Sequence, residues 1–179
     1  MSNVKENNIE SLTLERQLIG QMMLSQQFIS SLDLTKALEI QSEIGGRLGA
    51  IFMRLGAVSE DVILSVLSQQ LQLEIMGNER KLPSASEVID CCIENNIDTE
   101  WLLDQQAIVW VDKNAESFIN YAAKDPFAET LLSALEFLCS PNTLTPYLIN
   151  SQDFDVLSVA ITGLGKLQLG NNNDAHYLK

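Results

Sequence analysis

Residues Arg47 to Gln70, RLGAIFMRLGAVSEDVILSVLSQQ, are preceded by a degenerate copy of themselves at an offset of 29 positions. The offset lays Gly20 on Gly49, Met23 and Leu24 on Phe52 and Met53, and Phe28 and Ile29 on Ala57 and Val58. It continues with Ser30 on Ser59, Leu34 on Ile63, Leu38 on Leu67 and Gln41 on Gln70. Self-similarity at a period of about 20–50 residues marks stacked supersecondary units, because one helix pair cannot bury its apolar face alone. Residues 12–75 are therefore predicted to be two helix pairs packed on each other, with no strand between 30 and 70.

The spacing within each copy reads helix, turn, helix. Thr13 can cap a first helix that keeps Leu14, Leu18, Ile19, Met22 and Met23 on one face, and Ser25 to Gln27 ends it. Ser30 and Asp33 make an S-x-x-D start signal for a helix carrying Leu34, Ala37, Leu38 and Gln41. Gly45 and Gly46 punctuate. In the second copy Leu48, Ile51, Phe52 and Leu55 form the inner stripe and Gly56 the turn. Ser59-Glu60-Asp61 then supplies a cap and a first turn of carboxylates that complement the helix dipole, ahead of Ile63, Val66, Leu67 and Gln70.

A chain of 179 residues with 46% hydrophobic content can form one domain or two small ones. Its net charge of -13 argues against nucleic acid and anionic lipid as partners, since both need a concentrated basic face. It does not exclude a small anionic ligand, because charges beyond a Debye length of about 8 Å are screened and one well-placed Arg dominates locally. Cys91, Cys92 and Cys139 have no C-x-x-C spacing and fit a reduced, cytosolic setting, with Cys91-Cys92 packed in the apolar run Val88 to Ile93. The start, MSNVKENNIE, has no apolar core of a signal peptide, and no run is long enough to insert in a membrane directly. The localisation expected is cytoplasmic, with any attachment to the inner membrane peripheral and through a partner.

Beyond the repeat the composition shifts. Residues 1–11 read as a flexible arm, 12–75 as the tandem helical domain, 76–86 as a linker around Gly77-Asn78-Glu79-Arg80-Lys81 and Pro83, 87–165 as a small α+β domain and 166–179 as a flexible tail. A short helix over Glu87 to Ile93 and another after Asp98 precede a change of period. Ala107 to Val111 and Phe118 to Ala123 are β-prone runs around a turn-rich gap, a hairpin signature. Asp125-Pro126 is expected to end the strand and open a helix through Leu131, Leu132, Leu135 and Leu138. Pro141 stops that helix, Leu144 to Ile149 reads as a third strand and Phe154 to Ile161 as a last helix. The fold class is thus α+β: an all-helical tandem unit followed by a small ββαβα-like unit.

The chain resembles the N-terminal region of the type II secretion and type IV pilus assembly ATPases, the GspE/PilB/MshE group. The R-L-G-x-x-φ-φ-x-x-G-φ-φ-x4-L-x3-L-x2-Q units carry the resemblance, with the hairpin, Asp-Pro, helix, strand, helix run after them. The family's V-A-x-A-D-P signature stands here as Tyr121-Ala122-Ala123-Lys124-Asp125-Pro126. The resemblance covers residues 12–162 and implies a non-catalytic regulatory and docking module that binds the cytoplasmic domain of an inner-membrane platform protein. Some members bind cyclic di-GMP across the tandem units. The ATPase core that follows in the family is not in this chain, which is expected to be either a fragment of a larger ATPase or a free-standing relative. Gly163-Leu164-Gly165-Lys166 is the only Walker-like string, but Ala160 replaces the leading Gly and Leu167 the Mg²⁺-binding Ser or Thr. No cofactor, metal or enzymatic activity is expected, and no Ser/His/Asp or Cys/His grouping can be defended from spacing; His176 lies in the tail.

By this resemblance the candidate ligand residues are Arg47, Leu48, Gly49, Gly56, Gln41 and Gln70. A guanidinium can stack on a purine and grip phosphate or a guanine edge with two parallel bonds, and Gly49 would let backbone approach closely. The alternative reading makes Arg47 a surface residue at a helix start, Gly49 a packing glycine and the two Gln exposed helix ends. In the first copy Leu18 stands where the Arg should be and Gln27 where the turn Gly should be, while Arg16 is out of register by two. Cyclic di-GMP is accordingly expected to bind weakly or not at all.

Overall fold

A computed structural model describes residues 19–77, 80–111 and 118–174, with backbone alone from 165. The proposed arm, the Thr13 cap, Arg16, Leu18 and His176 lie outside the described residues. Contacts divide the chain after Gln72 into two units, each with its own core.

The first unit is helical throughout its described length, and no strand interrupts residues 30–70. Helix α1 occupies residues 19–25, α2 is Ser31–Ile44, α3 Leu48–Arg54 and α4 Glu60–Leu71. The Ser30 hydroxyl accepts from the Asp33 amide while the Asp33 carboxylate accepts from the Ser30 amide, a complete capping box. Ser59 has the extended backbone of a cap but its side chain makes no capping bond, so the start of α4 relies on Glu60 and Asp61 in its first turn. Ile19, Met23, Ile29 and Ala37 from the first pair meet Leu48, Ile51, Phe52, Ile63 and Val66 from the second in one core. Leu55 and Leu38 are exposed, at 42% and 43%, and leave the expected inner stripes. Leu55 is already the C-cap residue of α3, one step past the last helical turn.

The pseudo-repeat is most faithful at its turns. In the first copy the Phe28 amide donates to Met23 O at 2.9 Å and the Gln27 amide to Leu24 O at 3.1 Å. In the second, Ala57 donates to Phe52 O and Gly56 to Met53 O, both at 3.0 Å. This bond pair defines the Schellman end of a helix, which needs one left-handed residue. Gly56 supplies it at φ 69°, and Gln27 adopts it at φ 62° despite its Cβ. The loss of glycine in the first copy has therefore not changed the turn.

In the second unit, α5 is Ala85–Glu94, α6 Thr99–Asp104, β1 Ala107–Val111, β2 Phe118–Ala123, α7 Glu129–Leu138, β3 Thr143–Leu148 and α8 Ser151–Asp174. The strands form one mixed sheet in the order β1-β2-β3. β1 and β2 are antiparallel, with Ala107 opposite Ala123, and α7 carries the chain over to β3, which runs parallel to β2 with Tyr121 opposite Pro146. The ββαβα order is as expected, so the protein is α+β.

Several boundaries differ from the sequence reading. Ile75 bridges Leu148 and Met76 is fully buried in the second core, so residues assigned to the linker or its border belong to this unit. Ser84 closes a capping box with Glu87 and starts α5 two residues early. The start of α6 is as expected, with Asp98 capping it by accepting from the Trp101 amide at 2.9 Å. Pro126 does not open α7; it sits in a turn, held by the Tyr121 hydroxyl donating to its carbonyl at 2.9 Å, and the helix begins at Glu129. α8 continues to Asp174, through the stretch expected to be tail.

Candidate ligand site on the helical repeat

The Gly45-Gly46-Arg47 link delivers the chain to the second copy, and its geometry decides where Arg47 points. Gly45 and Gly46 take φ 71° and 95°, and the Gln41 side-chain amide donates to Gly46 O at 2.7 Å. The Gly45 amide donates back to Gln41 O at 2.9 Å. Gln41 thus clamps the link from both its backbone and its side chain. A glutamine five residues ahead of a Gly-Gly end is the sequence signal for that clamp. Arg47 follows as the N-cap of α3, extended at φ -84° and ψ 134°, exposed, with its carbonyl accepting from Ile51.

The other residues of the motif turn inward. Leu48 is 2% exposed in the core. A Cβ on Gly49 would come within 3.1 Å of Ile63 Cγ2, so this glycine sets how closely α3 and α4 approach. Its counterpart Gly20 would meet Leu34 Cδ1 at 2.8 Å, the equivalent contact in the first pair. Gly56 shapes the turn, and Gln70 lies half-buried in the last turn of α4. Of the six residues, Arg47 is the one that presents a charge to solvent, Gln41 positions its approach, and Leu48, Gly49 and Gly56 hold the pair in shape. A contact the repeat did not announce also ties the copies: Gln26 Nε2 donates to Gln69 Oε1 at 3.1 Å.

Electrostatically the first unit is milder than the whole chain. Among its described residues Lys36, Arg47 and Arg54 stand against Asp33, Glu39, Glu43, Glu60 and Asp61. The described part of this unit thus carries a smaller excess of negative charge than the overall balance suggests.

Other reactive groups are structural. Cys91, Cys92 and Cys139 are buried free thiols. Burial pushes Cys91 up to about 12 and Cys139 to about 11, and raises Cys92 as well, so none is a thiolate near neutral pH. Among the described residues no three His, Cys, Asp or Glu side chains group as metal ligands, and no helix is long and apolar enough to cross a membrane. Gly163 to Lys166 lie inside α8, whereas a phosphate-cradling loop needs non-helical backbone ahead of a helix.

No protein-family profile matches the chain, and no curated protein is significantly similar to it in sequence. Solved structures are. MshE with cdg (cyclic di-GMP) superposes with a TM-score of 0.64 at 21% identity, over 79% of this chain and 97% of that one. The N-terminal domain of XpsE superposes with a TM-score of 0.55 at 16% identity, over 82% and 94% of the two chains. The fold is that of the GspE/PilB/MshE-type N-terminal domain. At these identities the likeness is one of architecture, and it spans both units. The chain carries the RLG string Arg47-Leu48-Gly49, and in the Tyr121 to Pro126 stretch the tyrosine hydroxyl braces the turn at Pro126.

Proposed function

We propose that this chain is a non-catalytic docking and regulatory module of a secretion or pilus assembly ATPase, and that its partner is the cytoplasmic domain of an inner-membrane platform protein. The observation that carries this reading is the two-unit fold shared with the XpsE N-terminal domain over 82% of the chain. The helical unit adds a physical means: Phe28, in the turn ahead of α2, and Leu32, in the first turn of α2, are 39% and 59% exposed and offer apolar side chains to a partner element. Co-purification of the full chain from its native host tests it. Recovery of a secretion or pilus component, lost on Leu32→Glu, supports docking; recovery of none overturns it.

A second reading is favoured by one specific observation. Arg47 stands exposed at a helix start in the same fold that MshE presents with cyclic di-GMP, and the first-copy turn keeps its shape in spite of Gln27. The deficit that remains is Leu18 in place of the first Arg. A charge-assisted bidentate contact contributes about 1.5–3 kcal/mol, so its loss weakens binding by roughly 10- to 150-fold. Calorimetric titration with cyclic di-GMP should give micromolar or weaker affinity, abolished by Arg47→Ala and strengthened by Leu18→Arg. A submicromolar dissociation constant for the unmodified chain would contradict this account.

A further inference from the structure

The second unit holds a groove of about 440 Å³ that has no part in the reading above. Its floor is Tyr121 of β2 with Leu144 and Pro146 of β3, residues that share one face of the sheet because Tyr121 pairs with Pro146. Leu132 and Glu136, one turn apart on α7, make one wall; Pro141 and Asn142 make the other, and Phe127 closes an end. The volume lies within the range of about 300–1,000 Å³ typical of ligand sites. Tyr121 is only 1% exposed, so the surface offered to an occupant is the half-buried Phe127 ring and two prolines, and Glu136 is the single charged residue of the lining.

The floor also borders an incomplete sheet edge. The amide and carbonyl of Leu148 face away from β2, donating to Glu74 O and accepting from Met76. In a parallel strand the groups of every second residue point the same way, so those of Leu144 and the carbonyl of Pro146 face outward too. Among the described residues no strand pairs with them. Pro146 has no amide to donate, so a ladder continued along this edge from Leu148 would lack a bond there and an added β-strand is disfavoured. An extended polyproline-type segment needs few backbone bonds and packs its rings on aromatic and proline surfaces. Charge selects further: Glu136 sits at the groove, and it and Asp125 both act on the Tyr121 hydroxyl.

We propose that the groove between α7 and β3 docks an extended, proline-containing segment of a partner protein, with a Lys or Arg of that segment against Glu136. The prolines lie over Phe127, Pro141 and Pro146, and the basic residue fixes the direction of the chain. The site is independent of the Arg47 region, so either can fail without the other.

The test is a ¹⁵N chemical-shift titration of the full chain with acetyl-Pro-Pro-Leu-Pro-Arg-amide. Two control peptides replace the Arg by Glu or all the prolines by Ala. The expected result is shifts concentrated at Tyr121, Leu132, Glu136, Asn142 and Leu144, little response to either control, and a roughly twofold to fivefold loss of affinity on Glu136→Gln. Glu136 is exposed on α7, so that variant keeps its fold. Equal binding of the Ala control reveals non-specific attraction to an acidic protein and overturns the proposal. So do shifts elsewhere on the chain, no shifts at saturating peptide, or unchanged affinity in Glu136→Gln.

Discussion

Gln27 and Gly56 occupy equivalent turns at φ 62° and 69°, but only one of them lacks a Cβ. A left-handed non-glycine residue costs about 1–2 kcal/mol, offset in part by the greater chain entropy glycine loses on folding. Gln27→Gly should raise stability by about 0.5–1 kcal/mol and Gly56→Gln should lower it by a similar amount. Urea midpoints of the two variants check this, and an opposite sign for either would show that the side chain of Gln27 is engaged. Tyr121 supports a second prediction. Burial first, then the Glu136 and Asp125 carboxylates, push its hydroxyl up from 10.0 to about 12. The unfolded chain loses this proton more easily, so the associated stability is complete below pH 10 and is lost as pH rises towards 12. Absorbance at 295 nm should show a late-titrating tyrosine component in the folded protein, and Tyr121→Phe should remove it.

Helix pairs in the first unit are set by glycines placed where a partner helix crosses. Gly49→Val would push atoms into Ile63 and should cost about 1–3 kcal/mol, with part recovered by adding Ile63→Ala. Chemical denaturation of the single and double variants measures this, and additive losses would show that Gly49 does not set the contact. At this scale most of the fold was legible. The S-x-x-D signal at Ser30, the two β-prone runs and the Asp98 cap each reflect local chemistry that needs no distant partner. What misled were elements decided by tertiary contacts. Pro126 looked like a helix opener, yet the Tyr121 hydroxyl holds its carbonyl in a turn. The last helix was expected over Phe154 to Ile161 with a tail from 166, yet a glycine costs a helix only about 1 kcal/mol relative to alanine, and α8 runs on through Gly163 and Gly165. Leu48 and Gly49 carried the right motif, but only packing tells which motif residues face solvent.

Each unit owns a separate cluster of buried side chains, with Phe52 and Met23 central to the first and Tyr121, Leu131 and Leu135 to the second. Leu135→Ala should cost about 2–5 kcal/mol through the cavity it leaves. Hydrogen exchange should show that loss in the slow amides of β2 and α7, with those of α3 and α4 unchanged; uniform acceleration of both sets would mean that the units unfold as one. The groove on the second unit was illegible in the sequence because β2, the turn at Phe127, α7, the Pro141 loop and β3 each contribute one to three residues, and no spacing links them.

The three thiols leave the chain ready for spectroscopy. All are buried and all resist ionisation, so maleimide at neutral pH has no native target in the folded protein. One cysteine placed at Glu39 on α2 and another at Gln152 on α8, both exposed positions, would therefore carry a pair of spin labels with no native cysteine removed. The distance between the labels would then report directly whether filling the Arg47 region or the α7 groove moves one unit against the other.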